Sequence, residues 1–278
     1  LAYCSDVLVQ YGGHVLAAGL TVESDKIDLF REKINEFALK GDPAVPVLNI
    51  DCKINPVSIN TDLLSSINIL EPFGAENPQP IFGLYNMEIV SVQPVGNGKH
   101  LRLSLRKNGC SVNAIMFSAT LSDFQYAISD KVDLAVKLSA NEYMGKTQVS
   151  VQVKDIRLSA YDDEKVIKSL NDYEAFCRGD ELDLSVKKTI VVDRDFCGKV
   201  YKYVRGNNGW RFSEELLCYR LGLSEDKIMS CKIALDALCQ LGIIIYKEGK
   251  YILPDENVKS SLENSEIFRR ALQVRESV

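Results

Sequence analysis

Leu101-Arg102-Leu103-Ser104-Leu105-Arg106 alternates apolar and polar side chains with a period of two. That spacing belongs to a strand with one face in a core and the other in solvent. It predicts Leu101, Leu103 and Leu105 inside, with Arg102, Ser104 and Arg106 on the opposite face. Similar strand-like runs lie on both sides, at 87–92, 112–117, 132–138 and 147–158. Asn97-Gly98 and Asn108-Gly109 supply the residue types that two-residue hairpin turns demand. A helical break is expected at 121–126.

Five short strands so closely spaced fit an oligonucleotide-binding (OB) barrel, and equally another small antiparallel barrel. The polar face of the central strand carries Arg102 and Arg106, with Lys99 and His100 just before it. A turn over 141–146 contains Tyr143 and Lys146. Basic side chains tracking a backbone, with an aromatic for stacking, suit a single nucleic-acid strand. Solvated strand residues would read the same way on their own.

Upstream the pattern is helical. Residues 22–39 read as a helix with Ser24 as N-cap, Ile27, Phe30, Ile34 and Phe37 or Ala38 on one face, and Gly41 with Pro43 as its stop. A short strand is expected over 45–54 and a second helix over 60–70. Before them stands Tyr11-Gly12-Gly13-His14-Val15-Leu16-Ala17-Ala18-Gly19. Its glycines allow close backbone approach, and a turn leading into a helix would present N–H groups to a phosphate. A tight turn capped by His14 is the plainer alternative.

Three strings in one order resemble a known family. Gly-Gly-His-x-x-Ala-Ala-Gly at 12–19 resembles the DHH-associated domain of the DHH phosphoesterases. Leu70-Glu71-Pro72-Phe73-Gly74-Ala75-Glu76-Asn77-Pro78-Gln79-Pro80-Ile81-Phe82 is similar to the interdomain segment of the RecJ branch of that family. Gly98-Lys99-His100-Leu101-Arg102-Leu103-Ser104-Leu105 is similar to the OB barrel that follows there. The resemblance covers residues 1–158. It implies part of a DHH-associated α/β domain and a Pro-rich connector at 1–80 and an OB barrel at 81–159. The residues themselves read as an acidic linker or helix at 160–190 and a winged-helix-like domain at 191–278, so the expected chain is α+β and multidomain.

The resemblance further implies the C-terminal, strand-binding part of a 5′–3′ single-stranded-DNA exonuclease of DNA repair and recombination. Gly12, Gly13, His14, Lys99, His100, Arg102, Arg106, Tyr143 and Lys146 are the implied phosphate or nucleic-acid contacts. The family's Asp-His-His motif is absent here, since His14 and His100 are the two histidines and stand apart. Cleavage, and the Mn²⁺ or Mg²⁺ it uses, is therefore expected in a preceding domain. No cofactor is expected in this chain, which begins at Leu1, and it is expected to bind strands without cutting them. A non-enzymatic single-strand-binding adaptor and a phosphodiesterase of small oligonucleotides are the alternatives. Comparing degradation of a long strand with that of a dinucleotide separates them.

Composition sets the frame. The 278 residues carry a formal net charge of −5, with 46% hydrophobic and 26% charged residues, ordinary for two or three globular domains. Charge is uneven: residues 87–158 hold nine Lys/Arg against six Asp/Glu, and residues 160–190 hold five against eight. Eight cysteines at irregular spacings, with no Cys-x-x-Cys pair, read as buried thiols of a cytoplasmic protein. No apolar run is long enough to span a bilayer, so no membrane partner is expected.

Beyond residue 191 the expected order is helix over 195–203, helix capped by Ser213, helix from Ser224 to Leu241 stopped by Gly242, and a hairpin around Glu248-Gly249. That order is the one of a winged helix. The third helix offers only Lys227 and Lys232 beside several carboxylates, so sequence-specific DNA reading is not expected. Lys199, Lys202, Arg205 and Arg211 make a better basic patch. The domain is expected to clamp DNA in an auxiliary way or to dock a protein, with a single-strand-binding protein or a helicase as candidate partners.

Overall fold

The computed structural model describes residues 1–14, 17–40, 47–143, 145–256 and 258–277, without the side chains of Tyr143 and Lys146. The expected stop at Gly41 and Pro43, the start of the expected 45–54 strand, and Val15 and Leu16 lie outside the described residues. The chain forms two compact units, residues 1–49 and 50–278.

In the first unit, β1 (Leu8–His14) pairs antiparallel with β2 (Ala17–Val22). A 3₁₀ turn at Ser24–Lys26 then leads into α1 (Ile27–Leu39). Ser24 therefore sits inside that turn and caps no α-helix. The expected apolar face of α1 is not buried: Ile27 is 41% and Phe37 54% exposed, and among the described residues of this unit the buried apolar ones are Cys4 and Val7. The Tyr3 ring lies 5.1 Å from that of Phe37.

In the second unit, β3 (Cys52–Lys53) forms within the described part of the expected 45–54 strand. Asn60 caps α2 (Thr61–Asn68) by accepting from the Leu63 N–H at 2.9 Å, a contact that satisfies one of the helix's orphan donors. Leu64 and Ile67 of α2 are buried in the same core as the barrel strands. The proline-rich segment is tied down as well. The Asn77 amide donates to the Leu70 and Pro72 carbonyls at 2.8 and 3.0 Å, and the Gln79 amide to the Leu138 carbonyl at 2.8 Å. Residues 50–80 thus pack with the barrel.

The barrel comprises β4 (Phe82–Val95), β5 (His100–Lys107), β6 (Cys110–Met116), β7 (Lys131–Tyr143) and β8 (Lys146–Leu158). β4 pairs antiparallel with β5 and β7, β5 with β6, and β7 with β8; the parallel pair β6–β8 closes the ring. All five expected strands are present. Asn97 and Gly98, and Asn108 and Gly109, have the positive φ values their turns require. The expected helix near 121–126 is absent. Turns occupy 121–123, where Thr120 bonds its hydroxyl to Ser122 and Asp123 and its carbonyl to two following N–H groups.

The remaining helices share one core. α3 (Asp163–Arg178) falls in the acidic stretch, yet buries Val166, Tyr173 and Phe176. α4 (Leu184–Thr189), α5 (Arg194–Gly206), α6 (Glu214–Arg220) and α7 (Ile228–Gln240) follow. The hairpin β9 (Ile245–Lys247) and β10 (Lys250–Ile252) comes next, then α8 (Glu266–Glu276). Ser213 caps α6 as expected, accepting from Leu216 N–H at 3.2 Å. Ser224 precedes a 3₁₀ turn at Glu225–Lys227, and α7 starts only after it. Trp210 forms an isolated antiparallel bridge to Tyr251 beside the hairpin. The α5–α6–α7–hairpin order is the expected winged-helix-like one, with α3, α4 and α8 added. No helix among the described residues is long and apolar enough to cross a membrane.

Candidate nucleic-acid interface

Leu101, Leu103 and Leu105 are fully buried, and they meet Leu84, Met87, Ile89, Leu134, Val136 and Leu138 in the barrel interior. Side chains fill that interior, as in other small barrels. Any ligand must therefore lie on the outer wall. For OB barrels that means the second and third strands and the flanking turns, here β5, β6, the 96–99 turn and the 143–146 turn.

The outer wall is polar and basic. Arg102 is exposed and stands between Gln93 of β4 and Ile115 of β6. Ser104 donates to the Asn113 side chain at 2.9 Å, one step along the strand. Arg106 is also exposed, but its guanidinium binds Glu88 of β4 at 3.0 Å. An exposed pair of this kind contributes little to stability, so a phosphate can compete for Arg106. Lys99 lies exposed in the 96–99 turn, and neither it nor Arg102 forms an ion pair among the described residues.

His100 opens β5. Its Nδ1 accepts from the Ser118 N–H at 3.1 Å, which leaves Nε2 as the donor of the ring. Phe117 lies edge-on to that imidazole, with centroids 5.0 Å apart, and is 50% exposed. Phe117 thus leaves aromatic surface in solvent at the His100 end of the wall, the kind of surface on which a base can stack. Sequence reading missed Phe117 because it follows the last alternating residue of β6 and reads there as the end of a strand.

The other expected contacts are placed differently. Tyr143 and Lys146 end β7 and begin β8, at the turn that flanks such a wall, but their side chains and Met144 lie outside the described residues. Gly12, Gly13 and His14 belong to the first unit. They lie on strand β1, opposite Gly19, Ala18 and Ala17, and not on a turn leading into a helix. The reason is steric: a Cβ on Gly13 would stand 2.4 Å from the Ala17 carbonyl oxygen, so glycine here permits the two backbones to close. His14 is exposed, and at Gly12 a Cβ would meet nothing.

The third helix of the winged-helix-like domain is not available to a DNA groove. On α7, Met229, Cys231, Ile233, Leu235 and Leu238 are among nine buried residues. α3 covers it, with Ser169 accepting from Met229 N–H at 3.1 Å and Tyr173 bonded to Asp236. Both of its expected cations are engaged: Lys227 with Asp226 and the Thr189 carbonyl, both at 2.9 Å, and Lys232 with Glu214 at 3.0 Å. Burial pushes the Asp236 carboxyl up and raises the Tyr173 hydroxyl well above the usual range. Both shifts belong to a packed helix pair.

Residues 50–155 match the family model described as the RecJ OB domain. Over those residues the chain is similar to the RecJ OB domain. That agrees with the resemblance to the C-terminal portion of RecJ read from the 70–82 and 98–105 strings. Single-stranded-DNA-specific exonuclease RecJ of Bacillus subtilis is 25% identical over 165 residues, which are 58% of this chain and 21% of that protein. Its namesakes from Thermus thermophilus and Escherichia coli are 28% and 24% identical over 158 and 155 residues, 56% and 54% of this chain. The chain thus spans between a fifth and about a quarter of the curated relatives it matches (21%, 22% and 26%). A crystal structure of Thermus thermophilus RecJ in complex with Mg²⁺ aligns with 56% of this chain and 24% of that one, at 25% identity and a TM-score of 0.46. Among the described residues of this chain, no three His, Cys, Asp or Glu side chains converge to hold a metal.

Proposed function

We propose that the RecJ-like OB domain of this chain holds single-stranded DNA along the outer wall of β5 and β6. The observation that carries this reading is the cluster of Lys99, His100, Arg102 and half-exposed Phe117 at one end of that wall. A base stacks on Phe117, Lys99 and Arg102 pair with phosphates, and His100 donates from Nε2. Arg106 joins when it leaves Glu88. Tyr143 and Lys146 contribute from the 143–146 turn, and Gly12, Gly13 and His14 meet a phosphate near the strand's end through the first unit.

In this reading the chain is the strand-holding part of a RecJ-like 5′–3′ exonuclease of cytoplasmic DNA repair and recombination. Phosphodiester cleavage, with Mn²⁺ or Mg²⁺, belongs to a DHH domain of the longer protein, and the present residues bind without cutting. A single-strand-binding protein or a helicase docks on the C-terminal domain. Fluorescence anisotropy of a labelled 5′-phosphorylated strand across a salt series tests the reading. Three phosphate contacts predict a slope of log affinity against log salt of about −2. Lys99→Ala with Arg102→Ala is expected to reduce that slope by about 1.4. Binding that ignores salt, or a double variant with the parent slope, contradicts it.

A further inference from the structure

Phe196 to Phe212 contains four Lys/Arg and no Asp/Glu, within a chain of net charge −5. Three of them, Lys199, Lys202 and Arg205, are exposed at successive i, i+3 positions of α5. At 1.5 Å rise per residue they form a row roughly 9 Å long. The opposite face of α5 is buried through Phe196, Cys197, Val200 and Val204, so the row is turned outward.

The hairpin adds a second set of cations. Lys247 and Lys250 are direct cross-strand partners in β9–β10, an arrangement that destabilises a hairpin through like-charge repulsion. Lys250 lies against Gly209, where a Cβ would come within 2.6 Å of its Cε. Arg205 lines a small hollow with Ile243 and Leu253 at the base of the hairpin. Among the described residues none of these five cations forms an ion pair. Elsewhere in the same domain Lys165, Lys168, Arg178, Arg220, Lys227 and Lys232 form ion pairs. Other cations without one among the described residues include Lys187 and Lys259, outside α5 and the hairpin, and Arg194 at the start of α5. Uncompensated cations gathered on one side, two of them repelling each other, point to a polyanion.

We propose that α5 and the β9–β10 hairpin grip the phosphate backbone of a DNA duplex without reading its sequence. Two cation rows on two separate elements suit the two backbones that border a groove. A single strand would need stacking side chains along the α5 row, whereas Tyr201 and Tyr203 of that helix are packed against the core. Covered α7 supplies no groove-reading side chain. The barrel and this domain are one unit, fastened where Arg220 of α6 meets Asp130 before β7. The chain therefore presents a single-strand wall and a duplex grip on one compact unit, suited to a duplex with a single-stranded tail.

Anisotropy of the full chain with three probes tests this: a single strand, a blunt duplex of unrelated sequence, and that duplex with a single-stranded tail. The tailed duplex is expected to bind roughly ten-fold tighter than the strand alone at low salt. Lys199→Ala/Lys202→Ala/Arg205→Ala is expected to abolish that advantage and blunt-duplex binding, while leaving single-strand affinity within two-fold (about the scatter of such titrations) and the melting temperature unchanged. Lys247→Ala should weaken duplex binding as well and, by removing repulsion, leave the fold intact. A tailed duplex no tighter than the strand, or a triple variant that still binds duplex, overturns the proposal. A triple variant that loses single-strand and duplex affinity equally overturns it too, because the face is then a single-strand extension. Duplex binding without single-strand binding in the parent chain would keep this inference and remove the barrel reading.

Discussion

Asp130→Ala is expected to lower the stability of the second unit by about 3–5 kcal/mol, the cost of leaving a largely buried charge without its partner. Asp130 is 6% exposed, and its two carboxylate oxygens accept from the Arg220 guanidinium at 2.7 and 2.5 Å. One of those oxygens also accepts from Ala127 N–H at 2.8 Å. The pair joins the turn before β7 to the end of α6, and Tyr126 nearby bonds the Ile156 carbonyl at 2.8 Å. Removing the carboxylate strands a guanidinium whose side chain is 21% exposed. Replacing both partners, Asp130→Leu with Arg220→Leu, is expected to recover most of the loss, because two apolar side chains need no pairing. Urea denaturation of the single and double variants measures both effects. A single variant within 1 kcal/mol of the parent would mean the two domains are held by something else.

Phe117→Ala is expected to weaken single-strand binding by about 1–3 kcal/mol, the usual loss for one base–aromatic stack. That corresponds to roughly 5- to 150-fold in Kd. Half of the ring is already in solvent, so its removal leaves the filled barrel core untouched and the loss is read as binding, not folding. Phe117→Trp should restore affinity, since every base can stack on an indole face. Arg102→Ala acts differently, through charge: its effect should fade as salt rises, while that of Phe117→Ala should persist. Anisotropy at two salt concentrations distinguishes them. Equal affinity of Phe117→Ala and the parent would remove the stacking platform from the account.

The barrel was legible because its signals are local. Period-two alternation at Leu101–Arg106, with Asn-Gly at 97–98 and 108–109, dictates strand and turn within a few residues. Gly12, Gly13 and His14 show the limit of local reading. The string is compatible with a turn before a helix, and only the pairing of Gly13 with Ala18 decides for a strand. Ser24 and Ser224 are good caps by type, but a 3₁₀ turn precedes each α-helix and displaces its start by about a turn of helix. The acidic run at 160–190 was legible as a linker or a helix, but not the burial of α3, since its Val166, Tyr173 and Phe176 are spread among carboxylates.

The site was half legible for the same reason. Lys99, His100, Arg102 and Arg106 follow from one strand and its turn. Phe117 reaches His100 only because β5 and β6 are paired, with Leu101 opposite Met116. The tie between Asp130 and Arg220 joins residues 90 positions apart, and no sequence period reports such a contact. The uncovered cations of α5 could be counted in the sequence. Their lack of carboxylate partners, and the Lys247–Lys250 pairing, needed the fold.

The most direct test of the central claim is photo-cross-linking of a bromouracil-substituted single strand to the full chain, with the attached residues mapped by mass spectrometry. The account predicts adducts at Phe117 and His100, and within the β5–β6 wall. Adducts confined to the helical domain, with none between residues 99 and 117, would contradict it.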